Sequence, residues 1–407
     1  MKILLTHNVY RETGGEEKGI ERMAFDLKAR GHQVEFFREF SQDWGKKGIA
    51  SKLRTGLQIV YSWDNLKKIT TICREYQPDF IHVHNLFPFL TPSVCSVGKQ
   101  MGIPIVQTLH NFRLFCLNGL LYREGNVCEL CLKGSLLNGT VHRCYQQGFI
   151  TSGAMSLTLC LHRMLNTWNS KIDRFIALSE FSRNKFVENG IANEKIEVIP
   201  NGIDLSGDCA TDEIPSSPSL VYIGRLSEEK GIRTLLKAFA IFSTKRPDVP
   251  LHVVGTGRLE REVRNFKEEN SNLKIFLHGY LQAYDRDQLL KKSTFLMFPS
   301  ECYENCPYVI LESLSLGIPV IGSDRGGIPE LINDGTTGYL FESGSPSQLN
   351  AVLVKAMENL SQWPSMTRNA REEAKARFDK KVWIERIENL YKSILKSRNS
   401  ELIANLD

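Results

Sequence analysis

Between Glu304 and Glu312 the sequence reads E-N-C-P-Y-V-I-L-E, after an apolar segment that ends at Phe298 and before a second one, Leu314 to Ile321. This order of apolar segment, polar loop and apolar helical pattern is typical of a parallel βαβ unit. The spacing predicts Glu304 before the helix and Glu312 about two turns into it. Both carboxylates then lie at the carboxyl end of a parallel strand, where open α/β sheets bind ligands. Because carboxylates only accept hydrogen bonds, the pair suits a polyhydroxylated ligand, and two solvated Glu flanking a helix are the alternative.

The whole chain repeats this alternation of short apolar strands and longer helical patterns. Its 407 residues are too many for one compact core, so we expect two α/β domains with doubly wound parallel sheets. The pattern predicts strands near 2–7, 33–38, 79–84, 104–109, 174–178, 196–199, 219–224, 250–255, 273–278, 294–298, 318–322 and 338–341. It predicts helices near 16–30, 63–76, 152–170, 180–189, 230–243, 258–269, 285–291, 307–316 and 347–359.

Domain boundaries follow from composition. We predict one domain over residues 1–205 with a Cys-rich insertion at 111–150, a second over 206–375, and a C-terminal helical segment over 376–407. The polar segment from Leu205 to Pro218, rich in Ser, Asp and Pro, is the predicted linker.

Composition and charge exclude several classes of protein. The chain is 42% hydrophobic and 24% charged, which is typical of a globular protein, and no apolar run reaches the roughly 20 residues that span a bilayer. A start at Met1 without a signal peptide favours a cytoplasmic location.

Charge is unevenly distributed along the chain. Residues 1–205 hold 25 Lys and Arg against 19 Asp and Glu, whereas residues 206–407 hold 26 Lys and Arg against 27 Asp and Glu. The basic half is compatible with peripheral association at the inner face of an anionic membrane or with ordinary scatter. No basic stripe is interleaved with aromatic residues, so we expect no nucleic-acid partner.

Five segments, in order, resemble the family 4 retaining nucleotide-sugar glycosyltransferases, which have the GT-B architecture of two Rossmann-like domains facing a cleft. They are Gly14-Gly15 with Gly31-His32-Gln33-Val34, Thr108-Leu109-His110, Val198 to Asp204, Tyr222 to Gly231, and the Glu304–Glu312 segment. The resemblance implies a nucleotide-sugar donor, a glycan or lipid-linked saccharide acceptor, and a place in cell-surface polysaccharide biosynthesis. It also implies that the C-terminal helices cross back over the first domain.

The donor site is predicted around Arg225 and Lys230. These residues follow a strand that ends at Gly224 and precede a helix, and a helix amino terminus after a strand favours anions. The Arg fork and the Lys point charge suit phosphate oxygens. Surface pairs with Glu228 and Glu229 are the alternative.

By resemblance, Arg225 and Lys230 hold the donor diphosphate, Glu304 the transferred sugar and Glu312 the ribose hydroxyls. His110, which ends a predicted strand, would contact the transferred sugar near the reaction centre. Gly14 and Gly15 let the backbone approach the donor closely.

No catalytic metal is predicted. Asp285-Arg286-Asp287 is similar to the metal-binding Asp-x-Asp of other glycosyltransferases, but it lies at a predicted helix start, where Asp is favoured for structural reasons. The family commonly has an aromatic residue and Gly after its first Glu, whereas this chain has Asn305-Cys306-Pro307, and Pro307 has no backbone N–H to offer a sugar.

The insertion carries a different pattern of metal-binding residues. Cys128 and Cys131 form a C-x-x-C, Cys116 precedes them and Cys144 follows them, with His142 beside it. Such spacing is compatible with a structural zinc site or with unbound thiols in a loop. The apolar stretch that follows, Ile150 to Leu165, is interpreted as a core helix or, alternatively, as a membrane-touching face.

Two other functions are compatible with these motifs. A nucleotide-sugar epimerase with the same two-domain architecture would alter the sugar nucleotide without an acceptor. A degenerate transferase that serves as an assembly partner would bind no nucleoside diphosphate.

Overall fold

A computed structural model of the chain describes residues 1–9, 14–40, 59–205, 213, 214 and 217–404. The chain divides into two compact units. The first comprises residues 1–121, 128–200 and 383–407, and the second comprises residues 122–127 and 201–382. The predicted linker, Leu205 to Pro218, lies largely outside the described residues.

The strands, in chain order, are β1 (Lys2–Val9), β2 (Gln33–Phe40), β3 (Phe80–Asn85), β4 (Ile105–Leu109), β5 (Tyr122–Arg123), β6 (Asn126–Val127), β7 (Arg174–Ala177), β8 (Ile196–Val198), β9 (Leu220–Ile223), β10 (Leu251–Val254), β11 (Ile275–Gly279), β12 (Phe295–Phe298), β13 (Val320–Ser323) and β14 (Gly338–Phe341).

The α-helices are α1 (Gly15–Ala29), α2 (Trp63–Tyr76), α3 (Ser93–Met101), α4 (Leu130–Lys133), α5 (Leu137–Val141), α6 (Phe149–Met164), α7 (Thr167–Lys171), α8 (Glu180–Glu188), α9 (Ile232–Ser243), α10 (Glu260–Glu269), α11 (Ala283–Lys291), α12 (Tyr308–Leu316), α13 (Pro346–Glu358), α14 (Trp363–Arg377) and α15 (Lys380–Ala404).

Each unit contains a six-stranded parallel sheet. The strand order is β2-β1-β3-β4-β7-β8 in the first unit and β11-β10-β9-β12-β13-β14 in the second. In both sheets the chain starts inside the sheet, adds strands on one side and then crosses to the other, which is the doubly wound topology that the sequence predicts. The central strands β3 and β12 are buried along their whole length, as expected for parallel strands covered on both faces.

All twelve predicted strands are present, and the structure differs from the predicted elements in three other places. Helix α3 was not predicted; it is nine residues long and its first six residues are buried. The predicted helix over 152–170 is two helices, α6 and α7, separated at Asn166, which has a φ of 47°. The insertion at 111–150 contains the short helices α4 and α5 and the antiparallel β5–β6 hairpin, and the hairpin is part of the second unit.

The C-terminal helix α15 packs on the first unit from Trp383 onward. The Tyr391 ring stacks on Phe80 of β3, with 4.8 Å between ring centroids, and its hydroxyl lies 2.6 Å from Nδ1 of the buried His82. Glu388 accepts hydrogen bonds from Arg30 at 3.0 Å and bonds His32 at 2.8 Å. The last segment of the chain is therefore a structural part of the unit that the first residues begin.

Candidate functional site

In the second unit, the candidate donor site lies where the winding of the sheet reverses. Strand β9 lies between β10, which follows it in the chain, and β12, which arrives after the crossover. Loops that leave the carboxyl ends of two such strands diverge to opposite faces of the sheet and leave room for a ligand between them. The loop after β9 carries Arg225 and Lys230, and the loop after β12 carries Glu304.

Lys230 and Glu304 meet at this point. The Lys230 ammonium lies 2.5 Å from Oε1 of Glu304, and the Ser300 hydroxyl donates to the same oxygen at 2.7 Å. Gly231 makes the approach possible, because its φ is +68° and a Cβ there would lie 1.8 Å from the carbonyl oxygen of Pro299. The two residues that the motifs singled out separately therefore form one charged pair.

Electrostatics keep both members of the pair charged. Burial raises the pKa of the Glu304 carboxyl, but the charge of Lys230 and hydrogen bonds from Lys230 and Ser300 outweigh this effect and hold the pKa below its usual value. Burial lowers the pKa of the Lys230 ammonium, and the neighbouring Glu304 outweighs it and leaves the pKa raised. At neutral pH the site presents an ammonium next to a carboxylate.

A buried carboxylate, Glu229, holds two further cations. Its Oε1 accepts a hydrogen bond from Ser227 at 2.7 Å and lies 3.8 Å from the Arg225 guanidinium. Its Oε2 lies 3.5 Å from the Arg258 guanidinium. The side chain of Glu229 is only 5% exposed, whereas those of Arg225 and Arg258 are 57% and 72% exposed. Both guanidiniums are therefore tethered at one end and open to solvent, as a diphosphate site requires.

The loop after β13 holds the backbone of Glu304. The Gly327 N–H donates to the Glu304 carbonyl at 2.6 Å, and a Cβ on Gly326, whose φ is +65°, would lie 2.6 Å from both N and O of Glu304. The position of Glu304 thus depends on a close contact that only glycine permits at residue 326.

Glu312 lies in α12, four residues after its first residue Tyr308, so the predicted distance of two turns was too long. Its Oε2 lies 3.2 Å from the Arg286 guanidinium, which also bonds Asp287 at 2.8 Å. Burial lowers the pKa of Arg286, but Glu312 and Asp287 outweigh it and raise the pKa. Asp287 is therefore engaged with an arginine, and the structural interpretation of Asp285-Arg286-Asp287 stays a prediction.

In the first unit, His110 is half-buried and follows β4, beside the buried imidazoles of His82 and His84 on β3. Its Nε2 lies 2.9 Å from Nδ1 of His84, and the His84 ring stacks on His82 with 4.4 Å between centroids. Burial lowers the pKa of His110 to about 3, with His7 and His82 adding to the effect. His110 is thus a neutral hydrogen-bonding group at physiological pH.

Gly14 and Gly15 lie at the amino terminus of α1, after residues 10–13, which are outside the described part of the chain. The Gly14 N–H donates to Oε2 of Glu17 at 2.8 Å. The carboxylates of Glu16 and Glu17 lie 3.7 and 3.8 Å from the His7 ring. A role of these glycines in binding the donor stays a prediction.

The four cysteines of the insertion are neighbours. Burial raises the pKa of the Cys131 thiol to about 12, and the nearby Cys116, Cys144 and Cys128 contribute to the rise. Within the described ranges, no three His, Cys, Asp or Glu side chains are placed as ligands of one metal ion. The zinc site, including the alternative ligand His142, stays a prediction.

Sequence reasoning missed several residues of the second unit. The sequence patterns predict Glu229 only as a surface partner, and they point to no role for Arg258, Gly326 or Glu301. Glu301 accepts hydrogen bonds from Thr234 at 2.6 Å and from Tyr122 at 3.3 Å. The available signal was position: Arg258 and Gly326 follow β10 and β13, whose carboxyl ends lie on the ligand-binding edge of the predicted sheet.

Comparisons with known proteins identify the family and the fold class of the chain. Residues 13–206 match the family described as Glycosyltransferase Family 4, and residues 211–377 match Glycosyl transferases group 1. The chain belongs to this glycosyltransferase family. The predicted resemblance is confirmed, and the two matched segments fall on the two sheets.

Two relatives illustrate the range of this family. The glycosyltransferase is 25% identical over 242 residues to a GDP-mannose-dependent monoacylated alpha-(1-6)-phosphatidylinositol monomannoside mannosyltransferase of Corynebacterium glutamicum, a match that covers 55% of the chain and 63% of the relative. It is 25% identical over 239 residues to the capsular polysaccharide biosynthesis glycosyltransferase CapM of Staphylococcus aureus, which covers 54% of the chain and 62% of the relative. The chain thus spans less than two thirds of these two relatives.

Among solved structures, HepE of Anabaena in complex with UDP and glucose superposes with a TM-score of 0.66 at 20% identity, covering 97% of the chain and all of HepE. At that identity the likeness concerns the fold, and it confirms the GT-B class for this glycosyltransferase.

Proposed function

We propose that the protein is a retaining glycosyltransferase that moves a sugar from a nucleoside-diphosphate donor to a glycan or lipid-linked saccharide, in the synthesis of a cell-surface polysaccharide. The observation that carries the proposal is the meeting of Lys230 and Glu304 at 2.5 Å beside Arg225 and Arg258. Cations that neutralise a departing diphosphate, next to a carboxylate that accepts from sugar hydroxyls, are what the reaction needs.

The chemistry follows from these charges. Lys230, Arg225 and Arg258 stabilise the negative charge that develops on the leaving diphosphate, because charge-assisted contacts are strong where water is partly excluded. Glu304 holds the hydroxyls of the transferred sugar, and Glu312 holds the ribose. His110 contacts the sugar as a neutral imidazole and does not act as a cationic acid. No step of this mechanism uses a metal ion.

The acceptor class rests on the relatives. Their names include a phosphatidylinositol monomannoside and a capsular polysaccharide. The first name contains a lipid-linked saccharide and the second a polysaccharide, and we propose the same class of acceptor here. The location that follows is the cytoplasm, at the inner face of the membrane.

A donor screen tests the function. The purified protein is incubated with a panel of UDP-, GDP-, ADP- and dTDP-sugars and candidate acceptors, and released nucleoside diphosphate is measured. One donor should release diphosphate only with an acceptor, and NMR of the product should show the anomeric configuration of the donor. Inverted product would refute retention, and an altered sugar nucleotide formed without acceptor would indicate an epimerase.

Two substitutions test the donor site. Lys230→Ala and Arg225→Ala should each weaken nucleoside diphosphate binding by about 1.5–3 kcal/mol in calorimetry, because each removes a charge-assisted contact. Arg264→Ala is the matched control, since Arg264 is an exposed arginine of α10 that pairs with Glu260 on its own helix. If all three variants bind alike, the diphosphate site lies elsewhere.

A further inference from the structure

Helix α6 in the first unit exposes an apolar stripe and buries a polar face, which is the reverse of an ordinary amphipathic helix. Its exposed side chains include Ile150, Leu157, Leu161 and Met164, which follow one another at intervals of seven, four and three residues and so form one stripe. Met164 is 84% exposed and Leu157 is 59% exposed. In a helix that packs only against its own protein, this stripe would face the core.

The opposite, buried face of α6 is largely polar, and of its five polar side chains only Ser156 has a hydroxyl without a hydrogen-bond partner among the described residues. The hydroxyls of Thr151 and Ser152 both donate to the Tyr145 carbonyl, at 2.9 and 3.2 Å. His162 bonds the Thr167 hydroxyl at 2.9 Å and the Val60 carbonyl at 3.1 Å. These buried hydrogen bonds fix the rotation of the helix, because turning it would leave buried polar groups without partners.

The neighbouring helix α5 adds to the exposed apolar surface. Thr140 of α5 donates to the Ser152 carbonyl of α6 at 3.4 Å, so the two helices are in contact. On α5, Leu137 is 61% exposed and Val141 is 69% exposed. We call these two side chains and the α6 stripe the α5–α6 apolar face.

Within the segment that carries this face all charged residues are basic, although Lys133 pairs with Glu129, just before the segment, at 2.9 Å. Residues 130–172 contain no Asp or Glu, a stretch of 43 residues, and they contain four Lys and Arg. Three of the four, Lys133, Arg143 and Arg163, are exposed. An apolar surface with exposed basic residues and no carboxylate in its own segment matches a bilayer with anionic headgroups.

We propose that the α5–α6 apolar face docks on the surface of an anionic lipid bilayer. Leu157, Leu161 and Met164 enter the boundary between headgroups and acyl chains, and Arg143 and Arg163 contact lipid phosphates. The helix lies on the membrane and does not cross it, since none of the helices in the described ranges is long and apolar enough for that. This docking belongs to the first unit, and it is independent of donor binding in the second.

Co-sedimentation with vesicles tests the proposal. The probe is phosphatidylcholine vesicles containing about a quarter phosphatidylglycerol, compared with phosphatidylcholine alone. Wild-type protein should bind the anionic vesicles, and the triple variant Leu157→Ser, Leu161→Ser, Met164→Ser should bind at least about tenfold more weakly, because three buried apolar contacts are lost. The matched control replaces three exposed apolar residues of the second unit, Ile241→Ser, Phe276→Ser and Tyr284→Ser, and should bind like wild type.

The charge contribution is measured separately. Arg143→Glu with Arg163→Glu should weaken binding to the anionic vesicles and make it insensitive to salt, whereas Arg264→Glu should not. Unchanged thermal unfolding and nucleoside diphosphate binding of the variants show that both units are intact.

Three results would overturn the proposal. In the first, wild-type protein stays in solution when anionic vesicles sediment. In the second, the serine triple variant binds the vesicles as well as wild type does. In the third, the α5–α6 apolar face pairs with a second copy of the chain. Light scattering detects the last case as a wild-type dimer that the serine variant converts to monomer. Because nucleoside diphosphate release is measured without vesicles, failure of docking is distinguishable from failure of the proposed function.

Discussion

At the scale of single residues, the two glutamates have different partners and therefore different expected roles. One carboxylate oxygen of Glu304 accepts hydrogen bonds from both Lys230 and Ser300, whereas Glu312 pairs with Arg286 on another helix. Glu304→Gln should lower kcat by about 10²–10³-fold, because a neutral amide holds a developing charge poorly. Glu312→Gln should instead weaken nucleoside diphosphate binding by about 1–2 kcal/mol. Steady-state kinetics and calorimetry separate the two effects.

Glu268→Gln, on an exposed position of α10, is the control for both variants. Wild-type kinetics and affinity in Glu304→Gln and Glu312→Gln would contradict the assignment of the pair.

The Glu304 carboxyl also predicts a pH dependence of stability. Its pKa is lower in the folded state than in the unfolded chain, so its contribution is fully present above the unfolded value of about 4.3 and is lost as the pH falls through the folded value. The difference in free energy of unfolding between wild type and Glu304→Gln should therefore be constant from about pH 6 to pH 7 and shrink below about pH 4. Urea unfolding measured across this range checks the sign. A gap that widens on acidification would show that the pKa is raised.

At the scale of elements, a substitution at Gly326, in the loop after β13, should affect activity although this residue carries no charge. Gly326→Ala introduces a Cβ that would lie 2.6 Å from the Glu304 backbone, so Glu304 must move and turnover should fall by at least about tenfold. Gly335→Ala is the matched control, because Gly335 has a similar φ of +74° but no atom within 4 Å of the added Cβ.

Both alanine variants should lose about 1 kcal/mol of stability from backbone strain. Equal kcat values in the two variants would mean that Gly326 has no positioning role.

The Cys-rich insertion predicts a metal content. If Cys116, Cys128, Cys131 and Cys144 bind zinc, purified protein should carry about one equivalent per chain, and a strong chelator should make residues 111–150 sensitive to protease. Cys128→Ser with Cys131→Ser should lose the metal, whereas Cys160→Ser, in α6, should keep it. Elemental analysis that finds no zinc in reduced, untagged protein would leave the four thiols as ordinary loop residues.

At the scale of the whole molecule, the first unit is built from both ends of the chain. A chain ending at Val382 should lose cooperative folding of that unit, because it lacks the buried side chains Trp383, Ile384, Ile387, Leu390, Tyr391 and Ile394. Circular dichroism and limited proteolysis should show an unfolded first unit, with diphosphate binding by the second unit retained. A chain ending at Arg398 is the control and should fold like wild type. A stable first unit without α15 would contradict the prediction.

The sequence predicted the sheets better than the site. Strands were predictable because their apolar runs are local. Arg225, Lys230, Glu304 and Glu312 were singled out because their segments resemble a known family, and their roles stay predictions. The pairing of Lys230 with Glu304 was not predictable, since 74 residues separate them and the contact depends on how β9 and β12 are placed. Gly326 was missed for the same reason, because its close neighbour is another loop.

The central position of β9 has a consequence for synthesis of the protein. When Lys230 leaves the ribosome, the strand that will carry its counter-ion has not yet been made, and β10 and β11 emerge first and add to the other side of β9. Only when β12 is inserted does the ammonium acquire its carboxylate, so a nascent chain that stops before residue 304 has an open sheet edge where the finished protein has the Lys230–Glu304 pair. The charged pair of Lys230 and Glu304 therefore forms in the same step that closes this edge of β9.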